Sequence, residues 1–297
     1  SREQQLMAEQ AQSSEQAFDR AREDVGNIVM LEHVNLTVPD QGIGALFYVT
    51  GLGFTRDPYI DFGTFNMWVN LGDQQFHLPR ADAQVLRGHT GVVVPDLEGL
   101  ASRLKFAARG LQDTQFAYRE ADDHMVLTCP YGNEIRAYEP QSFPRMDLGM
   151  PYVELAVPPG TTAGIQRFYE QVMGCPVVRE GDSAKVVVGH NQHLIYTETD
   201  ADIPPYDGHH IAVYVANFSA PHAWLNERAL ITEESDLFQY RFVNIVDPDG
   251  GELLFELEHE VRSLSHAMYR RPLANRNPEI NFFTYRKGAD QFSPAPR

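Results

Sequence analysis

LEHVNLTVPD (31–40), RGHTGVVVPD (87–96), MPYVELAVPP (150–159) and GHHIAVYVAN (208–217) are four versions of one segment. Each alternates apolar and polar residues, as a half-buried strand does, and breaks at Pro or Asn. Taking His33, His89, Tyr152 and His210 as the matched position, the steps are 56 residues from His33 to His89, 119 from His33 to Tyr152 and 58 from Tyr152 to His210. A period this regular implies one unit used four times. Three of the four matched positions are histidine.

The residues between these segments repeat as well. The first unit opens with a strand at 31–38 and continues with a helix over about 42–50. Strands at 54–60, 64–71 and 75–78 follow. The second has strand 89–94, helix 97–109 and strands near 115–119, 125–129 and 134–138. The third has strand 152–157, helix 162–173 and strands near 176–180, 184–189 and 193–197. The fourth has strand 210–215, helix 219–229 and strands near 231–234, 239–246 and 252–258. GALFYVTGLGF (44–54) and AGIQRFYEQVMGC (163–175) match in detail, each with an aromatic pair and then a Gly able to end a helix. The expected class is α+β, four βαβββ modules. Residues 28–140 and 150–260 are expected as two domains of two modules each, divided by the linker QSFPRMDLG (141–149). Residues 1–27 read as a polar helix or arm. Residues 261–297 read as a tail that wraps the body, being too aromatic to stay fully solvated.

Composition narrows the function classes. A net charge of −17 argues against nucleic acid, whose phosphates need clustered cations. No apolar run reaches the length of a membrane span, and the N-terminus lacks the apolar core of a signal peptide. Cys129 and Cys175 are the only cysteines, so neither a disulfide framework nor a cysteine metal site is expected, and a cytoplasmic location is the simple reading. The expected partner is a small-molecule substrate, with neither nucleic acid nor membrane; homodimerisation is left open. No G-x-S-x-G, P-loop or G-x-G-x-x-G before a helix is present.

The repeated βαβββ unit, the H-x-x-L-x-V opening strands and DPDGGELLFEL (247–257) resemble the vicinal oxygen chelate (VOC) superfamily. That group includes glyoxalase I, extradiol dioxygenases and bleomycin-resistance proteins. The resemblance covers about residues 31–258. It implies modules paired into half-open barrels, with a metal held by residues of the first and last strands. Strand parity turns His33, Asn35 and Thr37 away from the apolar face of Val34, Leu36 and Val38; it likewise turns His77 and His89 inward. Carried over, the resemblance makes His33, His77 and His89 the metal ligands. In CPYGNEIRAYE (129–139), Arg136 stands where the superfamily has Glu. Glu134 or water would then complete the shell, although one strand step moves Glu134 about 6–7 Å. Arg136 is read either as Glu134's ion-pair partner or as a holder of substrate charge. In the C-terminal half the matched positions are Tyr152, His210 and Leu254, so that half is expected to be degenerate and His210 structural.

The expected function is a metal-dependent, dioxygenase-like oxidoreductase acting on a small oxygenated compound. Its cofactor is a divalent ion, Fe(II) ahead of Mn, Ni or Zn, and Arg136 and Glu134 are the catalytic candidates. The alternatives are a glyoxalase-type lyase or isomerase, and a metal-free binding protein on the same fold.

Overall fold

The computed structural model describes residues 19–61, 63–143, 145–274, 280 and 284–285. Most of the N-terminal arm therefore lies outside the described residues. What is described there is a single 3₁₀ turn, Arg20–Glu23.

The four repeats become four modules of one pattern. The first holds β1 (Ile28–Asn35), α1 (Gln41–Ala45), β2 (Thr55–Asp61), β3 (Asn66–Leu71) and β4 (Gln74–Pro79). The second holds β5 (Gly88–Val93), α2 (Leu97–Ala107), β6 (Ala117–Glu120), β7 (His124–Thr128) and β8 (Glu134–Tyr138). In the third are β9 (Gly149–Val157), α3 (Thr162–Phe168), β10 (Val177–Glu180), β11 (Ser183–Gly189) and β12 (Gln192–Glu198). The fourth comprises β13 (His210–Val215), α4 (Ser219–Glu227), β14 (Ile231–Asp236), β15 (Gln239–Val246) and β16 (Leu253–Ser263).

Local chemistry sets the helix ends. The Asp40 carboxylate accepts from the N–H of Gly42 and Ile43, at 2.7 and 3.0 Å, and so caps α1. α1 and α3 both widen into a π-helical turn, over Leu46–Gly51 and Tyr169–Met173. A buried aromatic pair meets edge-on in or at the start of each widened turn, Phe47 with Tyr48 and Phe168 with Tyr169. The second ends at Gly174, whose φ of 68° suits a residue without Cβ.

The modules pair differently from the sequence-based expectation. One sheet runs β14-β15-β16-β13-β1-β4-β3-β2 and joins modules one and four. The other runs β10-β11-β12-β9-β5-β8-β7-β6 and joins modules two and three. Residues 28–140 are therefore not one paired unit, and neither are 150–260. The repeat period defines a module but says nothing of which first strands meet, since every first strand offers a similar edge. Steric detail at β5 favours β9. Gly91 lies under the ring of Tyr152, and a Cβ there would sit 2.2 Å from the ring's Cε1.

Both sheets share one apolar core. The helices lie in it, with α2 packed on the widened turn of module one and α3 reaching β15 of the other sheet. Asp247 of the DPDG turn takes a hydrogen bond from Arg167 of α3 at 3.1 Å, tying module four to module three. The fourth strands supply a second tie. Buried Gln192, which opens β12, accepts from the Leu31 N–H at 3.1 Å and donates to the carbonyls of Leu31 and Met150 at 2.9 and 3.0 Å. Gln74, which opens β4, accepts from the Met150 N–H at 3.0 Å. Gln192→Leu removes three hydrogen bonds from buried backbone groups. We expect a loss of stability of about 2–4 kcal/mol at an unchanged m-value, measured by urea unfolding.

Candidate metal centre

The first sheet has a local two-fold axis between its central strands. β1 and β13 run antiparallel, with His33 opposite Ala212 and Asn35 opposite His210. β4 flanks β1 in parallel, placing Gln75 beside His33 and His77 beside Asn35. β16 flanks β13 in the same way, placing Glu258 beside His210 and Glu260 beside Ala212. The axis therefore relates His33 to His210 and His77 to Glu260. All four are buried, none more than 8% exposed.

Their donor atoms converge. Ligand atoms of His33, His210 and Glu260 lie within 4.8 Å of one another, and so do those of Glu32, His33 and His77. The His33 and His77 rings stack with centroids 3.5 Å apart, and the His210 ring meets His33 edge-on at 5.6 Å. Glu32 reaches the same face as His33, its chain neighbour, because the β1–β13 register shifts between Leu31 and His33. This bulge places two consecutive side chains on one side.

Hydrogen bonds fix the tautomers. His33 Nδ1 lies 2.8 Å from Glu32 Oε2, so Nδ1 carries the proton and Nε2 the lone pair. That buried Nε2 has no hydrogen-bond partner. An orphaned buried nitrogen is costly unless something binds it. His77 Nε2 lies 3.1 Å from Gln75 Oε1, which can only accept; Nδ1 is then its lone-pair nitrogen. The Gln75 amide is oriented by donating to Asp57 Oδ2 at 2.7 Å and to the Asn70 side-chain oxygen.

Burial lowers the pKa of all three imidazoles. It drives His77 and His210 well down, with further lowering from the nearby His33 ring. At His33 burial again dominates, offset in part by Glu32. The carboxylates go the opposite way. Burial pushes Glu32 and Glu260 up, but Arg262 outweighs it, leaving Glu32 far below the carboxylate range and Glu260 at about 2. Arg262 Nη1 donates to Glu32 at 2.6 Å; its Nη2 lies 2.5 Å from Glu260 Oε1, without hydrogen-bond alignment. Arg241 adds a hydrogen bond to Glu260. At neutral pH the cluster is thus three neutral imidazoles and a carboxylate, with Glu32 ionised behind His33. Neutral imidazole and carboxylate are the forms that bind a metal ion. The donor set fits Fe(II), Zn, Mn or Ni, and His33, His210 and Glu260 form a two-histidine, one-carboxylate group.

Of the sequence-derived ligands, the structure brings His33 and His77 together. It does not bring His89 to them. His89 lies on β5 in the second sheet, with Nε2 3.4 Å from Glu154 Oε2. Arg136 and Glu134 lie there too, half-exposed and hydrogen-bonded to each other at 2.9 Å. The expected convergence of His33, His77 and His89 failed because modules one and two are not partners. In the second sheet the equivalent positions follow from the pairings of His89 with Glu154 and Gly91 with Arg136. They are His89, Arg136, Tyr152 and Ile195. These positions thus hold one imidazole, a cation, a phenol and an alkyl group, and among the described residues no group of three metal-ligating side chains includes His89.

From the sequence His210 was expected to be structural, and Glu260 was not picked out. His77 follows His33 by 44 residues, and the same step from His210 lands on Leu254. The step needed is 50, to Glu260. Four of the six extra residues are in the turn before the last strand, 247–252 against 72–73. The usable signal was the continuing alternation LFELEHEVR (254–262), which carries β16 past residue 258. His209 stands outside both groups, its Nδ1 2.6 Å from Asp207.

A cleft of about 860 Å³ opens where the two sheets, the linker and the tail meet. Its wall includes Glu32, Gln75, Arg145, His190, Gln192 and Arg271. Glu32 and Gln75 are the partners of His33 and His77, so the cleft ends against the cluster's hydrogen-bond shell.

Comparison with solved structures agrees with the architecture. Glyoxalase I from Zea mays matches with a TM-score of 0.55 at 14% identity, covering 78% of this chain and 92% of that one. A protein from Bacillus subtilis described as a "putative dioxygenase" matches with a TM-score of 0.53 at 16% identity, covering 82% and 88%. No protein-family model and no curated protein matches the sequence. At these identities the likeness shows the fold: the chain has the paired-module fold of glyoxalase I and the VOC superfamily. Among the described residues no helix is long and apolar enough to cross a membrane.

Arg262→Met tests the charge balance. It leaves two buried carboxylates without their main cation, and we expect a loss of about 3–5 kcal/mol at pH 7. Both carboxyl groups are held below their ordinary 4.5, so the stabilisation is present above that value and is lost as pH falls toward about 2. The gap between variant and parent should therefore narrow below pH 4.5 in denaturant titrations.

Proposed function

We propose that this chain is a metal-dependent enzyme whose ion is held by His33, His210 and Glu260, with His77 beside them. We further propose dioxygenase-like oxidoreductase chemistry on a small oxygenated compound. The observation that carries this reading is the buried convergence of His33, His210 and Glu260, with His33 Nε2 left unpartnered and His77 stacked on His33. A two-histidine, one-carboxylate group with open positions suits Fe(II), and Mn, Ni or Zn fit the same donors. A bound ion of this type supplies Lewis-acid polarisation of substrate oxygens and, as iron, chemistry with dioxygen.

The chain's own residues prepare the site. Glu32 holds His33 in the tautomer that presents Nε2. Arg262 and Arg241 keep Glu260 ionised although it is buried. Trp68 stacks on His77 at 3.3 Å and shields it from water. The cleft that ends at Glu32 and Gln75 is the proposed approach for substrate. Arg136 and Glu134 lie on the other sheet and have no part in this chemistry. The free thiols Cys129 and Cys175 fit a reducing cytoplasm.

A glyoxalase-type isomerase is the second reading, favoured by His77 at the place related to Glu260, where it offers a fourth ligand. The test is metal content after purification, followed by oxygen uptake with catechols and turnover of 2-oxoaldehydes. We expect near-stoichiometric metal in the parent and in His89→Ala, and loss of most of it in His210→Ala and Glu260→Gln. Oxygen uptake supports the dioxygenase reading, and 2-oxoaldehyde isomerisation alone supports the second. Metal-free protein from all four preparations would leave a binding protein as the answer.

A further inference from the structure

The last strand ends at Ser263, yet the chain returns across the face of the first sheet that carries His33 and His77. Tyr269 packs on Tyr214 of β13 with centroids 4.8 Å apart. Asn70 of β3 donates to the Leu273 carbonyl at 3.4 Å, and the Tyr59 hydroxyl donates to the Ala274 carbonyl at 3.2 Å. Between these anchors, Arg271 reaches into the protein and pairs with Asp57 of β2. The side chains are 2% and 0% exposed, which makes this one of the most buried ion pairs in the described structure.

Two routes lead from this tail to one side chain. The first is polar. Asp57 Oδ2 takes the Arg271 guanidinium and the Gln75 amide N–H, and Gln75 Oε1 in turn accepts from His77 Nε2. The second is apolar. Ile280 and Tyr285 bury themselves with Tyr59, Ile60 and Trp68 in a satellite cluster separate from the main core. The Trp68 ring in that cluster lies flat on His77.

We propose that the C-terminal tail is part of the ion site and that Arg271 is a positioning residue for His77. Acting through Asp57 and Gln75, it fixes the tautomer that leaves His77 Nδ1 with the lone pair. This rests on the reading of His77 as a member of the ion site. The physical reason is the Gln75 amide, which donates to Asp57 Oδ2 as well as to the Asn70 side-chain oxygen. Asp57 Oδ1 is committed to the N–H groups of Tyr59 and Ile60, at 2.9 and 3.0 Å. Arg271 then holds Oδ2 in place as an acceptor, so the amide presents its nitrogen to Asp57 and its oxygen to His77. Without the guanidinium, Oδ2 loses the partner that holds it against the Gln75 amide, and the amide is free to turn. His77 would lose its fixed acceptor. Partners one shell out from a metal ligand commonly carry about 10–100-fold in metal affinity.

The experiment measures the dissociation constant of Zn(II) for the full-length apo-protein by competition with a chromophoric chelator. The variants are Arg271→Met, Arg271→Lys and Gln75→Leu, each also made in a His77→Ala background. Arg271→Met should weaken Zn(II) binding about tenfold or more, and Arg271→Lys, which keeps the charge, should recover part of the loss. In the His77→Ala background Arg271→Met should add nothing, because its effect passes through that ring. Gln75→Leu cuts the route while leaving the Arg271–Asp57 pair in place. It should weaken binding similarly, and it carries the test if Arg271→Met does not fold. Equal losses with and without His77 would make Arg271 a purely structural residue and overturn the proposal, as would unchanged affinity in Arg271→Met and Gln75→Leu. A parent protein that binds no Zn(II), Fe(II) or Mn(II) would instead overturn the reading of the site beneath it.

Discussion

The antiparallel ladder between β1 and β13 is the constraint on which the candidate site depends. It joins the first module to the last, and its register sets His33 and His210 across a local two-fold axis. The parallel strands on either side then deliver His77 and Glu260 without further adjustment. Strand side chains alternate, so a slip of one residue would put Val34 into the site and His33 into the apolar core. The bulge at Glu32 breaks the alternation beside His33 and adds the carboxylate that orients it.

Burying this much polarity requires internal compensation. Arg262 lies between Glu32 and Glu260, and Arg241 bridges Glu258 and Glu260. Two cations thus hold Glu32 and Glu260 below the ordinary carboxylate range against burial, which raises Glu258 instead. The imidazoles are left neutral by the same burial. The protein therefore holds the protonation states of a metal site through its own charges. Stability and site chemistry are coupled here, because the groups that hold the donors ready also tie β16 to β1 and β15 to β16.

The second sheet serves as an internal control. It has the same strand order, the same antiparallel centre and the same local axis. Its four equivalent residues nevertheless cannot gather a cation. Tyr152 instead covers Gly91, and its hydroxyl lies 2.9 Å from that of Tyr138. One backbone solution thus carries a polar cluster in one copy and packing in the other, and the difference lies in four side chains. The fold sets where a site could be; the residues at those positions decide whether one exists.

The sequence by itself determined the modules. Alternation in segments such as LEHVNLTVPD marked all sixteen strands, and matched motifs such as GALFYVTGLGF placed the helices, because these signals are local. Parity also turned His33 and His77 to the right face. Only the tertiary structure decided which modules pair. First strands have similar edges, and the choice rests on contacts between residues far apart in the chain, such as Gly91 under Tyr152. That choice exchanged His89 for His210. Glu260 stayed hidden for a related reason: six extra residues shifted it off the repeat's register, and a ligand position is defined by the neighbouring strand, not by counting along its own. The tail's Arg271 gave no sequence signal at all, since its partner Asp57 is 214 residues away.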